Sequence, residues 1–359
     1  MGRSTRQGSR LMRRGAAGLV IAIILLAALA PWIAANDPKT QFENHAYAPP
    51  ARLHVRDAGG WHLPFIYRLS LVDRISRTYA EDRHERVPLR WFSTGRVVSV
   101  DASGGPLLFC GGDALGRDLC ARILFGARLS LGVAVLGACG ALLIGAFLGA
   151  AAGTVGGRLE TVVMTVADFV LVLPVVYLVI VLRATRPLVI DTSEVFILMA
   201  ALFAGAAWPD VARGVRAIVA TERTRDYATA AKAAGAGPFR LIGHLFPAAY
   251  GFLRIEFVLL IPALLVAESS LSFVGFGFEG ATPSWGGLLK DSETLTAMYS
   301  SPWLLLPALA LFLVVLALQT VTGNTQLLMP QPLTRRAHAD SLRRDHEYPG
   351  RVPSGSDAV

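Results

Sequence analysis

The stretch LSLGVAVLGACGALLIGAFLGAAAGTV, residues 129–155, runs without a single charged side chain. A helix that crosses the ~30 Å hydrocarbon core of a bilayer needs about 20 such residues. Working outward, five further apolar blocks stand at 15–35, 161–182, 195–211, 252–276 and 303–322. The block at 195–211 is the weakest, because Gly205, Pro209 and Asp210 interrupt it. Gly and Pro are tolerated in spans where neighbouring helices satisfy the backbone. Of the 359 residues 53% are hydrophobic and 17% charged, against about a quarter charged in soluble domains. The pattern predicts an all-α polytopic membrane protein with six transmembrane helices.

The net charge of +8 would suit nucleic acid if it were gathered on one face, but its placement points to a membrane. Arg3, Arg6, Arg10, Arg13 and Arg14 precede the first block. Arg213, Arg216, Arg223, Arg225, Lys232 and Arg240 lie between the fourth and fifth, and Arg335, Arg336, Arg343, Arg344 and Arg351 follow the sixth. Six spans place all three segments on one side, which the positive-inside rule makes cytoplasmic. Arg183 and Arg186, between the third and fourth blocks, run against this and are outvoted. The organisation expected is a basic cytoplasmic tail (1–14), a first span (15–35), a long periplasmic segment (36–127), a five-helix core (128–323) with a cytoplasmic loop at 213–250, and a polar tail (324–359). A cleaved leader is the rival reading of the start. The uncharged run to Ala35 exceeds the usual ~7–15 residues and favours an uncleaved span.

The outer segment mixes Pro, Gly, aromatic and charged residues in short alternating pieces, which predicts a small irregular or β-containing subdomain. Residues 115–128, LGRDLCARILFGAR, have helical apolar spacing beside Arg117, Asp118 and Arg122, and are expected to form an amphipathic helix at the membrane interface. Cys110 and Cys120 stand outside, where a disulfide is chemically allowed, although unpaired thiols are favoured because nothing else in the segment looks stapled. Cys139 lies within the second block as a small apolar residue. The composition of the tail beyond Gly323 predicts disorder.

No phosphate-binding loop, His-Glu-x-x-His zinc motif or Gly-x-Ser-x-Gly nucleophile motif occurs. No catalytic residue, bound metal or cofactor of the chain's own is therefore expected, nor a nucleic-acid partner. Two ionisable residues fall inside spans. Asp168 precedes Pro174 by six residues, and Glu268 is followed by Ser269, Ser270 and Ser272. A charge in hydrocarbon costs about 2.5–3.5 kcal/mol or more, so each must face a water-filled path or a partner group within the bundle. A proton relay through Asp168 would want several linked carboxylates, and the spans offer few.

Between the fourth and fifth blocks stands DYATAAKAAGAGPFRLIGHLFP, residues 226–247. Its Ala-rich start predicts a helix over 226–234. Gly235 and Gly237 end that helix and Pro238 is suited to begin another. It is too small-sided for a core helix, with no apolar stripe wide enough to bury.

Residues 208–247, WPDVARGVRAIVATERTRDYATAAKAAGAGPFRLIGHLFP, resemble the cytoplasmic loop of bacterial ABC importer permeases, specifically the C-type inner-membrane subunit of dipeptide, oligopeptide and nickel transporters. That family's Glu-Ala-Ala-x-x-x-Gly core reads here as 229–235, with Thr229 in place of the glutamate. The interval from Gly235 to Pro247 is one residue shorter than usual, and Gly243 stands where Arg is common. Three other stretches agree in order. GGDALGRDLCARILFGARLSL (111–131) is similar to the family's segment before the second span. Asp168 and Pro174 match its Asp-x5-Pro, and AESSLSFVGFG with TPSWGGLL (267–277 and 282–289) match the end of span five and the loop after it.

The resemblance implies a type I importer permease that forms a pore with a sister permease as a heterodimer. Two ATPase subunits, which carry the ATP and magnesium, would drive it, and a periplasmic solute-binding protein would deliver the substrate. It implies that 226–247 couples to the ATPases through Tyr227, Ala230, Ala231, Gly235, Gly237, His244 and Pro247. It further suggests that Gly116, Arg117, Asp118 and Trp285 face the binding protein, or alternatively seal the bundle edge. Peptide, nickel chelate, opine and short sugar importers share these motifs. The rival from another class is a stand-alone secondary transporter or channel.

Overall fold

In the computed structural model the run at 129–155 belongs to one uninterrupted helix. The structure describes residues 2–57, 60–74, 76–93, 95–100, 104–174, 177, 191–278, 280–293 and 299–326, with side chains from 15 to 321. The helices are α1 (Gly2–Ala28), α2 (Ala30–Ile33), α3 (Leu119–Val155), α4 (Gly157–Val172), α5 (Thr192–Glu222), α6 (Asp226–Ala233), α7 (Pro238–Leu245), α8 (Tyr250–Val274), α9 (Trp285–Asp291) and α10 (Leu306–Gln326).

Helix α3, α5, the stretch Pro238–Val274 and Pro302–Val321 are each long and apolar enough to cross a membrane, and Gly15–Ala28 is a shorter apolar helix. The third expected span appears as the 16 residues of α4. Residues 175–176 and 178–182 of that span, with Arg183 and Arg186, lie outside the described residues, as does the tail beyond 326. Pro209 sits inside α5 and Pro262 inside α8 without ending either helix. The expected interruption at Gly205, Pro209 and Asp210 is therefore corrected: span four continues to Glu222 and shortens the connecting loop.

Helix α3 has 37 residues, about 55 Å at ~1.5 Å per residue, far more than the hydrocarbon thickness. Its first turns are buried, with Arg122 2% exposed. The separate interfacial helix expected over 115–128 is thus corrected to the outer end of a single long helix. Asp118 caps it, accepting a hydrogen bond from the Ala121 amide at 3.2 Å.

The tightest packing in the bundle is between α3 and α5, which run parallel. A Cβ added at Gly145 would stand 2.7 Å from the Trp208 carbonyl oxygen. One at Gly149 would be 3.0 Å from Ala212 Cα, and one at Gly153 would be 2.9 Å from the Arg216 carbonyl oxygen. Glycines four apart on one face let two helix backbones approach closely, the arrangement that drives association where both helices and lipid are apolar. Nearer the start of α3, Val133, Ala134 and Ala138 join one packed cluster with Leu264 and Leu265 of α8 and Phe203 of α5.

The outer segment contains the β structure its alternating pieces predict. Strands β1 (His54–Asp57), β2 (Gly60–Asp73) and β3 (Thr78–Pro88) form an antiparallel sheet, and β4 (Arg90–Trp91) pairs with β5 (Val98–Ser99). Its small core gathers Ala35, Ile66, Val87 and Leu107. The Asn36 side-chain amide ties it to the bundle, donating to the Leu107 carbonyl at 2.7 Å and to Asp118 Oδ2 at 2.9 Å. Cys110 and Cys120 form a disulfide with Cα atoms 5.1 Å apart, which corrects the expectation of unpaired thiols. Cys139 is free.

Candidate functional site

At the end of the bundle formed by α5 and α8, residues 226–247 fold as a helix, a break and a second helix. Helix α6 ends at Ala233, one residue short of the expected 234. Gly235 follows in the left-handed region (φ 83°) with open space around its Cα, a conformation that costs other residues roughly 1–2 kcal/mol. Gly237 then caps α7, and Pro238 is its first residue, where the missing N–H costs no hydrogen bond.

The element has two faces. Ala228, Leu241 and Leu245 are buried against Ala150 of α3 and Val211, Val215 and Val219 of α5. The expectation that this stretch lacks a buriable stripe is corrected, since α7 brings Leu241 and Leu245 onto one side and α6 contributes Ala228. Tyr227, Ala230, Gly235, Gly237, His244 and Pro247 are exposed, and Ala231 is half-buried. Phe239, not singled out from the sequence, is 87% exposed. An aromatic directly after the break was the available signal.

Short bonds hold the start of the element to the end of α5. Tyr227 donates its hydroxyl to Glu222 Oε2 at 2.8 Å, and Arg225 pairs with Glu222 Oε1 at 3.0 Å. Accepting that hydroxyl, together with the glutamate's charge, raises the Tyr227 pKa above its ordinary value. Thr229, which replaces the family's glutamate, turns its hydroxyl back to the Asp226 carbonyl at 2.8 Å. It therefore presents no charge.

The two intramembrane carboxylates have different surroundings. Asp168 on α4 pairs with Arg213 of α5, and Glu160 pairs with Arg216 one to two turns nearer the loop. The Asp168 side chain keeps 66% of its surface exposed in this chain. Glu268 is fully buried. Ser272 donates to its Oε1 at 2.7 Å, and the Ser269, Ser130 and Ser284 hydroxyls also reach it. The Glu268 cage joins α3, α8 and the cap of α9.

At the other end, the Gly-rich segment before α3 closes on itself and on α9. Arg117 Nε donates to Asp113 Oδ2 at 2.6 Å, its NH2 meets Asp291 Oδ2 at 3.1 Å, and its NH1 reaches the Gly280 carbonyl at 3.1 Å. Arg122 adds 3.3 Å contacts to both aspartates. Burial raises the pKa of Asp291, with Arg122 and Arg117 pulling it down, and burial likewise raises that of Asp118 against its hydrogen bonds from Asn36 and the Ala121 amide. Trp285 is 1% exposed and donates from its indole to the Ile123 carbonyl at 3.0 Å.

Gly116, Arg117, Asp118 and Trp285 are thus all buried. Their polar side chains are taken up by partners within the chain, and Trp285 packs against α3. Asp113, Arg122 and Asp291 complete the cluster and were missed, because Asp291 lies 174 residues from Arg117 in the chain.

Comparison with known proteins agrees with this architecture. Residues 141–326 match the family described as binding-protein-dependent transport system inner membrane component. The chain is 34% identical over 228 residues to the dipeptide transport system permease protein DppC of Bacillus subtilis (strain 168), covering 63% of this chain and 69% of that one. It is 32% identical over 213 residues to the oligopeptide transport system permease protein OppC of the same organism, covering 59% and 67%. It is also 27% identical over 310 residues to the di/tripeptide transport system permease protein DppC of Pseudomonas aeruginosa (strain UCBPP-PA14), covering 85% and 84%. The family match takes in the last part of α3, all of α5 and α8, the helix–break–helix element between them and Glu268 itself, so the chain belongs to the family of binding-protein-dependent transport system inner membrane components and is a membrane-spanning permease subunit.

Proposed function

We propose that this chain is one of two permeases of an ATP-driven importer of peptides or chemically related small solutes, and that α6–α7 is the element through which ATPase subunits act on it. The observation that carries the reading is the two-faced build of that element. Its underside is fixed to α3 and α5 by Ala228, Leu241 and Leu245, while its top is small-sided and exposed apart from Tyr227, Phe239 and a few basic residues. Such an element, joined rigidly to span four and leading into span five, can pass a partner's motion on as a rigid-body shift. Small residues on top let a partner's surface approach the backbone closely.

ATP and magnesium would be held by those partner subunits, and this chain would carry no catalytic group. The basic residues in the first half of α1, around α6–α7 and after α10 support a cytoplasmic position for those parts. The segment 36–118 then lies outside, towards a solute-binding protein. The ion-paired but exposed Asp168 and Arg213 fit a surface that lines the shared path or meets the sister permease, since lipid would be a costly neighbour. Peptides are proposed as cargo because the relatives' names specify peptide transport.

Gly235→Trp tests the coupling role. The side chain enters open space and the left-handed φ costs about 1–2 kcal/mol, so the element should still fold on its apolar base, yet its bulk stands where a partner would dock. Transport should be abolished and co-purification of the ATPase subunits weakened. Normal uptake with normal complex yield would refute the role. The rival of a stand-alone carrier predicts that the reconstituted chain alone moves substrate without ATP, which this reading forbids.

A further inference from the structure

A cavity of about 660 Å³ opens between α1, α3, α8 and α10. Its lining is apolar along its whole length, from Ala17 to Ala28 on α1, with Val135, Ile261 and Leu318 facing them. Arg128 is the one charged side chain in that lining. Asn36, just past α2, bonds Asp118 at the start of α3, and Arg128 shares a second cavity with Asp37, Pro38 and Lys39, which puts Arg128 at the Ala28 end of the groove.

Three observations bear on what fills it. The α1 side, from Ala17 to Ala28, is about 16 Å long at ~1.5 Å per residue, half of the ~30 Å hydrocarbon thickness and so one leaflet deep. Arg128 immediately precedes the charge-free run 129–155, at the level where a basic side chain reaches the membrane interface while its stem lies along apolar surface. It is exposed and, among the described residues, has no carboxylate partner. That second cavity, of about 480 Å³, borders Arg128 and also Lys39 and Asp37, so a second cation stands on the same rim beside one carboxylate.

We propose that this groove is a specific phospholipid site, with one acyl chain lying along α1 and the anionic headgroup held by Arg128. An acyl chain with an anionic head matches both the one-leaflet length of the apolar lining and the basic residue in it. A basic residue near the surface favours an anionic lipid by about a factor of five. The site is independent of what the chain transports.

The test uses the full-length chain in maltoside detergent, titrated with dioleoylphosphatidylglycerol or dioleoylphosphatidylcholine and read by native mass spectrometry. The wild type should bind one phosphatidylglycerol about fivefold more tightly than phosphatidylcholine. Arg128→Gln should remove that preference and Arg128→Lys restore most of it. Ile24→Trp, which fills the groove and leaves the charge in place, should weaken both lipids. Equal binding of the two lipids by the wild type, or undiminished binding in Ile24→Trp, would overturn the site. So would a photocrosslinker at position 24 that captures a polypeptide instead of lipid in native membranes.

Discussion

The two ends of the helical bundle are built on opposite principles. At the end next to the β segment, charge is buried: Asp113, Arg117 and Arg122 pair with one another and with the partly exposed Asp291, Asp118 caps α3, and the Cys110–Cys120 disulfide closes the turn beside them. At the α6–α7 end the polar and small residues face outward, and only Ala228, Leu241 and Leu245 are anchored. A buried, mutually satisfied cluster resists displacement because removing one member strands the others. An exposed element on a narrow apolar base can receive a partner without first breaking its own contacts. The contrast teaches that one end is held by paired charge while the other is left open, as the proposed push from a partner requires.

The strongest attempt to break this contrast is at the buried cluster. Arg117→Leu leaves Arg122 as the one cation for both Asp113 and Asp291, and losing one partner of a buried pair costs about 3–5 kcal/mol. The thermal midpoint of the detergent-solubilised chain should fall steeply. A shift of a degree or less would show that the cluster contributes little.

Next in size is the disulfide. Replacing Cys110 and Cys120 together by Ser should cost about 2–3 kcal/mol, as expected for the loss of a bridge closing a short loop. Reducing agent should mimic the change in the wild type and leave the double variant unaltered.

The α6–α7 end should behave the other way. Gly235→Ala places a Cβ in a left-handed conformation and should cost about 1–2 kcal/mol locally, with a partial loss of uptake by the assembled transporter. Phe239→Ala, at an 87% exposed position, should change chain stability by less than ~0.5 kcal/mol. It should nevertheless lower the retention of ATPase subunits during purification. If stability fell and retention did not, the two ends would not differ as described.

Much of this was legible in the residues. Length and apolarity located the spans, and the Gly-Ala-Gly-Pro run marked where one short helix ends and another begins, because those residues act on the local backbone. What escaped was long-range. Nothing near Arg117 announces Asp291, and the cage of Glu268 draws on Ser130 from a helix far back in the chain. Pro209 misled for a related reason: in water it ends helices, whereas the close α3–α5 seam keeps α5 intact around it. The two cysteines gave a spacing but no geometry. The buried face of α6–α7 was hidden because its partners, Val211, Val215 and Val219, are contributed by another helix.

The central claim, that α6–α7 receives the ATPase, is tested most directly by a photocrosslinking amino acid at position 239 in the assembled transporter. The account predicts a covalent adduct with an ATPase subunit whose yield changes between nucleotide-free and ATP-bound states. Adducts with lipid alone, or with the external solute-binding protein, would contradict it.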